Sequence, residues 1–203
     1  MKQRRGCSRL VYAIVTESES GTTYGEVKEL APVKSVTREI ASESEDVWAD
    51  NELQQKTYAG SKITRTFETT RIAPEVEAEL LGNTVITSGT NKLFATASTG
   101  DKRPYIAVGY ALHDGNPDIP CEVVWGYRAK VNSISQVANT IDGGTASEGQ
   151  SVEIEFVAPK TKFTKTGERN LDLLLAIGES NVAMVEKWFA KVITPDNAET
   201  ELA

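Results

Sequence analysis

A single α+β domain, predominantly antiparallel β with helices to one side, is the fold this sequence predicts. The dominant hydrophobic period is two, carried by β-branched and aromatic residues with frequent Thr. Only two stretches show helical spacing. The 203 residues, 39% hydrophobic and 25% charged, form an ordinary globular composition without internal repeats. A chain of this length hides about 70% of its unfolded surface on folding, so it needs no disulfide framework.

The first nine residues are a basic arm, with Lys2, Arg4, Arg5 and Arg9. The apolar run that follows, 10–15, is short for a leader peptide and has no small-residue cleavage site behind it. It predicts a first strand, with Leu10, Tyr12 and Ile14 on one face. The stretch 41–60 is polar and acidic, with Trp48 and Leu53 embedded, and is expected to be the longest loop. In 61–70, Ile63 and Phe67 share a face against Thr64, Thr66, Glu68 and Thr70. Pro74 at a first-turn position, the early acids Glu75, Glu77 and Glu79, and Gly82 as a stop predict a short helix over 74–81.

Residues 104–112 are almost wholly apolar and predict a strand covered on both faces. A turn at 113–116 leads to 122–133, where Val123, Trp125, Tyr127, Ala129 and Val131 alternate with polar residues. Loop 139–150 contains Gly143, Gly144 and Gly149, and strand 151–157 sets Val152, Ile154 and Phe156 against Ser151, Glu153 and Glu155. A C-terminal helix is expected over 179–192, with Ser180 as N-cap, Val182, Val185, Trp188, Phe189 and Val192 on one face, and Pro195 as the stop. The organisation is thus an arm over 1–9, one domain over 10–194 and a flexible acidic tail over 195–203.

The net charge of −7, from 29 acidic and 22 basic residues, disfavours direct nucleic-acid binding. No apolar stretch reaches membrane-spanning length, so no membrane partner is expected. Cys7 and Cys121 lie too far apart in sequence to suggest a disulfide framework and read as free thiols.

Catalytic chemistry has little to build on. The sole histidine, His113, sits in an HDGNP turn and is expected to be solvated. No G-x-S-x-G elbow accompanies it, and one His with two distant Cys cannot supply a zinc site. The GGTASEG stretch lacks the G-K-S/T of a phosphate loop. Glu43, Glu45, Asp46 and Asp50 are crowded but lack calcium-loop spacing. No cofactor, metal or catalytic residue is expected. Trp48 stands out in an acidic stretch, since tryptophan is enriched at interface hot spots.

Several stretches, in order, resemble the major tail proteins of long-tailed phages infecting Gram-positive bacteria. They are LVYAIVTESESGTTYG, VWADNEL, RTFETTRIAPEVEAELLG, RPYIAVGYAL, VVWGYRAKVNSISQ and SVEIEFVAPK, together spanning about 10–160. The resemblance implies a β-sandwich or barrel subunit of the tail-tube fold, with one short flanking helix, to which the C-terminal helix is added. It implies self-assembly into rings, usually hexameric, that stack around a tape-measure protein in a phage tail. The protein would be synthesised in the host cytoplasm, join other tail proteins in the virion, and later pass DNA without binding it specifically.

On that reading Trp48, Asp50, Leu53, Arg4 and Arg5 make subunit or ring-to-ring contacts. Glu43, Glu45, Asp46, Glu122, Glu153 and Glu155 are candidates for an acidic lumen that repels phosphate. The departures lie in the basic arm and the WFAKV helix. An alternative reading is a monomeric β-sandwich binding module, a virion or surface adhesin, that uses Trp48 and loop 139–150 for a ligand. A third is a glycosidase acting through carboxylates alone.

Overall fold

A computed structural model describes the backbone of residues 4–18, 21–49, 52–96, 98–137 and 149–203, and the side chains of these apart from 42–61. The fold is mostly antiparallel sheet. In chain order the elements are β1 (Cys7–Ser18), β2 (Gly21–Tyr24), β3 (Lys28–Glu29), β4 (Val33–Ala49), β5 (Glu52–Thr69), α1 (Pro74–Leu81), β6 (Thr84–Ser88) and β7 (Asn91–Ala95). There follow β8 (Tyr105–Leu112), β9 (Glu122–Gln136), β10 (Gln150–Phe156), β11 (Asp172–Ala176), α2 (Met184–Ala190) and α3 (Ala198–Leu202).

One sheet runs in the order β2-β1-β8-β9-β10-β5-β4, with β3 added to β1 and β11 to β9. The strand β4 comes back against β1, so the sheet wraps around its own interior. That interior holds Leu10, Tyr12, Ile63, Phe67, Ile106, Val108, Val152, Ile154 and Phe156, with Ile72 and Leu80 from α1 and its approach. A second core lies on the opposite face of β1, β8 and β9. There Ala13, Val15, Ala107, Ala111, Val123, Trp125 and Tyr127 are covered by Phe163, Val185, Trp188, Val192 and Ile193. The indole Nε1–H of Trp125 donates to the Trp188 carbonyl at 2.8 Å, tying the C-terminal segment to the sheet. This double covering explains why β8 is apolar along its whole length.

The expected alternation in β9 breaks halfway. Pairing with β8 slips between Ile106↔Ala129 and Val108↔Gly126, a bulge that switches the face of every later residue. Trp125 and Tyr127 therefore face the second core, while Ala129 and Val131 enter the first.

The helix α1 has the predicted bounds. Pro74 stands at its first turn, and Gly82 closes it at φ 74°, where an L side chain is strained. A Cβ at Gly82 would also sit 2.3 Å from the Lys102 carbonyl oxygen.

Five further expectations are corrected. Residues 41–49 and 52–60 are not a loop; they continue β4 and β5. Cross-strand hydrogen bonds satisfy the backbone without requiring a buried face, so a polar stretch can still form a ladder. Residues 7–9 of the expected arm belong to β1. His113 is buried at 6% exposure, because the chain at residues 5 and 6 pairs with its backbone. Its ring contacts Ser8 Oγ at 2.7 Å and the Asn116 carbonyl at 2.9 Å.

The C-terminal helix is shorter than expected. Asn181 receives the Gly178 N–H at 2.7 Å and donates to the Ala176 carbonyl at 3.0 Å, holding a turn where Ser180 was expected to cap. Finally, the tail beyond 195 contains α3, preceded by a reciprocal pair of bonds. The Thr194 N–H donates to Asn197 Oδ1 at 2.7 Å, and the Asn197 N–H donates to Thr194 Oγ1 at 3.3 Å. Of loop 139–150, residues 139–148 lie outside the described residues, and Gln150 opens β10.

Candidate functional site

The most unusual feature is the outer half of the β4–β5 hairpin. Closer in, β5 is flanked by β10 from Ile63↔Phe156 to Thr69↔Gln150. Beyond Ile40↔Ile63, β4 and β5 pair only with each other among the described strands, through Ala41↔Lys62 to Ala49↔Glu52. At a rise of roughly 3.3 Å per residue this arm is about 30 Å long. A two-stranded ribbon is marginal by itself in water, and its outer edges carry backbone groups able to pair with another chain. On the body, the edge strand β4 also leaves Ile40 56% exposed.

The structure brings only part of the predicted interface together. Trp48 and Leu53 are register partners near the end of the arm, and Asp50 lies outside the described residues. Arg4 and Arg5 sit instead on the body. Arg4 is bridged to Glu122 at 2.7 Å, and the Arg5 N–H donates to the His113 carbonyl at 2.7 Å.

The six acidic candidates fall into three places. Glu43, Glu45 and Asp46 are on the arm. Glu122 is the one beside Arg4. Glu153 and Glu155 share the outward face of β10, where Asn132 donates to them at 3.1 and 3.2 Å and Lys62 bridges Glu155 at 2.9 Å. Hydrogen bonds from Lys62 and Asn132 hold the Glu155 carboxyl below its ordinary range.

A cleft of about 440 Å³ opens at the base of the arm. Among the described residues, its charged lining is Arg4, Lys34, Arg38 and Arg65 together with the acid Asp172. Sequence reading passed over Arg65, although the spacing Ile63-x-Arg65-x-Phe67 puts it on the buried face of β5. It is 1% exposed, with its guanidinium 4.5 Å from the Phe156 ring centroid and 5.3 Å from that of Tyr110. Gly126 leaves room for this stack, because a Cβ there would sit 2.1 Å from Phe156 and 2.9 Å from Arg65 Nη1.

Nη2 of Arg65 donates to Asp172, which Arg38 also reaches at 3.1 Å. Nε and Nη1 have no hydrogen-bond partner among the described residues. Burial draws the Arg65 pKa down, and Tyr110 and Asp172 oppose that shift. Rings cover the two faces of a guanidinium; its edge N–H groups still require acceptors in the plane.

A second apolar surface lies on the separate β6–β7 hairpin, which the sequence did not signal. Val85, Ile86 and Leu93 are 43%, 51% and 54% exposed there. Among the described residues, no three His, Cys, Asp or Glu side chains gather as a metal site.

No protein-family model and no curated protein matches the sequence. Among solved structures, the chain is similar to one from the anti-feeding prophage tube terminating cap, with TM-score 0.43 and 9% identity over 84% of this chain and 89% of that one. It is also similar to a chain of an extracellular contractile injection system sheath–tube complex, with TM-score 0.43 and 9% identity over 84% and 90%. A third similarity is to the tail of an empty gene transfer agent particle, with TM-score 0.36 and 10% identity over 82% and 96%.

Proposed function

We propose that this chain is a structural protomer of a phage-type tail tube, related to the major tail proteins its motifs resemble. Copies associate head to tail into stacked rings, six to a ring on the family pattern. The rings enclose a tape-measure protein and later a path for DNA. The observation that carries this reading is the arm, a long hairpin paired only with itself beyond Ile40↔Ile63 among the described strands. A self-sufficient monomer gains nothing from such an extension, whereas a heterologous assembly gains a connector whose edges and side chains a neighbour completes. The exposed apolar β6–β7 hairpin and the edge of β4, unpaired among the described strands, add further surface for association. The acidic balance of the chain suits a wall along which phosphates slide without sticking.

Purified protein at high concentration, viewed by negative-stain electron microscopy and sedimentation, tests the proposal. Rings or tubes are expected. A strictly monomeric protein under all conditions, including seeding with tail initiator complexes, would overturn it.

A further inference from the structure

The cleft at the arm's base has no role in the chemistry of a simple wall subunit, yet it is built as a receptor for an anion. Among the described lining residues four cationic side chains face Asp172, with Glu122 bridged to Arg4 beside them, so the cleft is net positive in a chain whose net charge is −7. The deepest of them, Arg65, is fully buried and keeps Nε and Nη1 without acceptors among the described residues. A buried unsatisfied donor is costly, and a charged one more so. The natural complement of the cleft's excess positive charge is a carboxylate, which accepts charge-assisted hydrogen bonds from arginine and lysine. Val36, Leu112 and Leu174 add apolar walls suited to the stem of an inserted side chain.

We infer that this cleft receives an acidic side chain from the β4–β5 arm of a second copy of this chain. Charge complementarity names the occupant. From position 43 to 52 the chain carries Glu43, Glu45, Asp46, Asp50 and Glu52 and no basic residue. The arm of the same copy cannot serve, because Lys34 and Arg38 of the cleft lie on the strand that leads away into it. From Arg38 to Trp48 is ten residues of strand, about 33 Å. A contact from the arm of one copy to the cleft of the next is therefore head to tail, and it propagates. This inference rests on the assembly proposed above and adds the socket that receives the arm.

Two measurements on the full chain test it separately from that assembly. The first is fluorescence anisotropy with a labelled peptide of sequence SESEDVWADNE, residues 42–52. Binding is expected, falling at least tenfold in Arg38→Glu and Arg4→Glu, whose side chains are 41% and 59% exposed, with thermal melts confirming that each variant is folded. It should also be lost when the peptide's acids are replaced by amides. The second is charge exchange. Arg38→Glu alone and the Glu43→Lys/Glu45→Lys/Asp46→Lys triple variant alone should each fail to assemble, and their mixture should assemble again.

Peptide binding that is absent, or unchanged in both cleft variants, overturns the inference whatever the wild type assembles into. So does binding of inorganic phosphate without binding of the peptide. A wild-type chain that stays monomeric yet binds the peptide through Arg38 would sink the tube reading and leave the cleft assignment standing.

Discussion

Gly126→Ala should destabilise the body of the protein through one identifiable clash. Gly126 lies on β9 where the bulge begins, and its missing side chain would point at the Phe156 ring. The added methyl carbon would sit 2.1 Å from Cε1 and 2.7 Å from Cδ1 of that ring, and 2.9 Å from Arg65 Nη1. Carbon atoms in contact settle near 3.5–4.0 Å, so the ring must retreat by more than an ångström. It has nowhere empty to go, because Phe156 is 1% exposed and carries the Arg65 guanidinium on its face. Overpacking of this kind costs about 1–3 kcal/mol, and the disturbed cation–π stack places Gly126→Ala at the upper end, about 3 kcal/mol.

Two other glycines calibrate the effect. Gly109→Ala brings a methyl to 3.0 Å from three carbons of Trp125 and should cost about 1 kcal/mol. Gly178→Ala meets nothing within 4 Å and should be neutral or slightly stabilising, since it removes freedom from the unfolded chain. Urea denaturation at low protein concentration gives the three midpoints at constant slope. For a chain of this size each kcal/mol moves the melting temperature by roughly 2–4 °C, so calorimetry gives a second reading. A Gly126→Ala midpoint equal to that of Gly178→Ala would refute the packing account of this junction.

Replacing residues 42–61 by an Asn-Gly turn should abolish ring or tube formation in electron microscopy, and the melting temperature should stay within a few degrees because, among the described strands, the arm pairs only with itself. Trp125→Phe should lose about 1–3 kcal/mol in denaturant titration, since the Trp188 carbonyl is left without its indole donor. Burial alone would raise the Glu17 carboxyl, but Arg128 and Lys160 outweigh it and hold its pKa below 4.5. Its contribution is therefore complete above pH 4.5 and is lost as pH falls through the lower folded value, so Glu17→Gln should flatten the acid limb of stability against pH. Cys7 and Cys121 are pushed above their ordinary value of 9.0, chiefly by burial, so both should alkylate more slowly at neutral pH than a free thiol, read by mass spectrometry.

Elements that bury one face announced themselves in the sequence. In β10 every second residue is core, and alternation alone located Val152, Ile154 and Phe156. For α1, Pro74 and Gly82 mark both ends because each answers a backbone requirement of a helix terminus. The arm was illegible because its sequence is polar and acidic and offers no hydrophobic period to detect. The strand β11 escaped because DLLLA is too short for any period to stand out.

Long-range pairing defeated local reading elsewhere. His113 reads as a solvated turn until residues 5 and 6 pair with its backbone, more than a hundred positions away. Arg65 reads as an interruption of a strand until the two rings and Asp172 are seen around it. The candidate site was legible only in part. Trp48 and Leu53 do meet across the ladder, but Arg4 and Arg5 belong with the cleft side of the body rather than with the arm.

Stability and association are separable in this architecture. The body closes two cores, one on each face of β1, β8 and β9, from residues outside the arm. Changes within those cores should therefore shift the folding midpoint while leaving subunit stoichiometry alone. If the cleft takes an acid from the arm of another copy, reversing the exposed cleft cation Arg38 should alter association more than folding. A protein arranged this way can strengthen or weaken its contacts with neighbours by surface charge alone, because the residues that do so are not those that hold the sheet together.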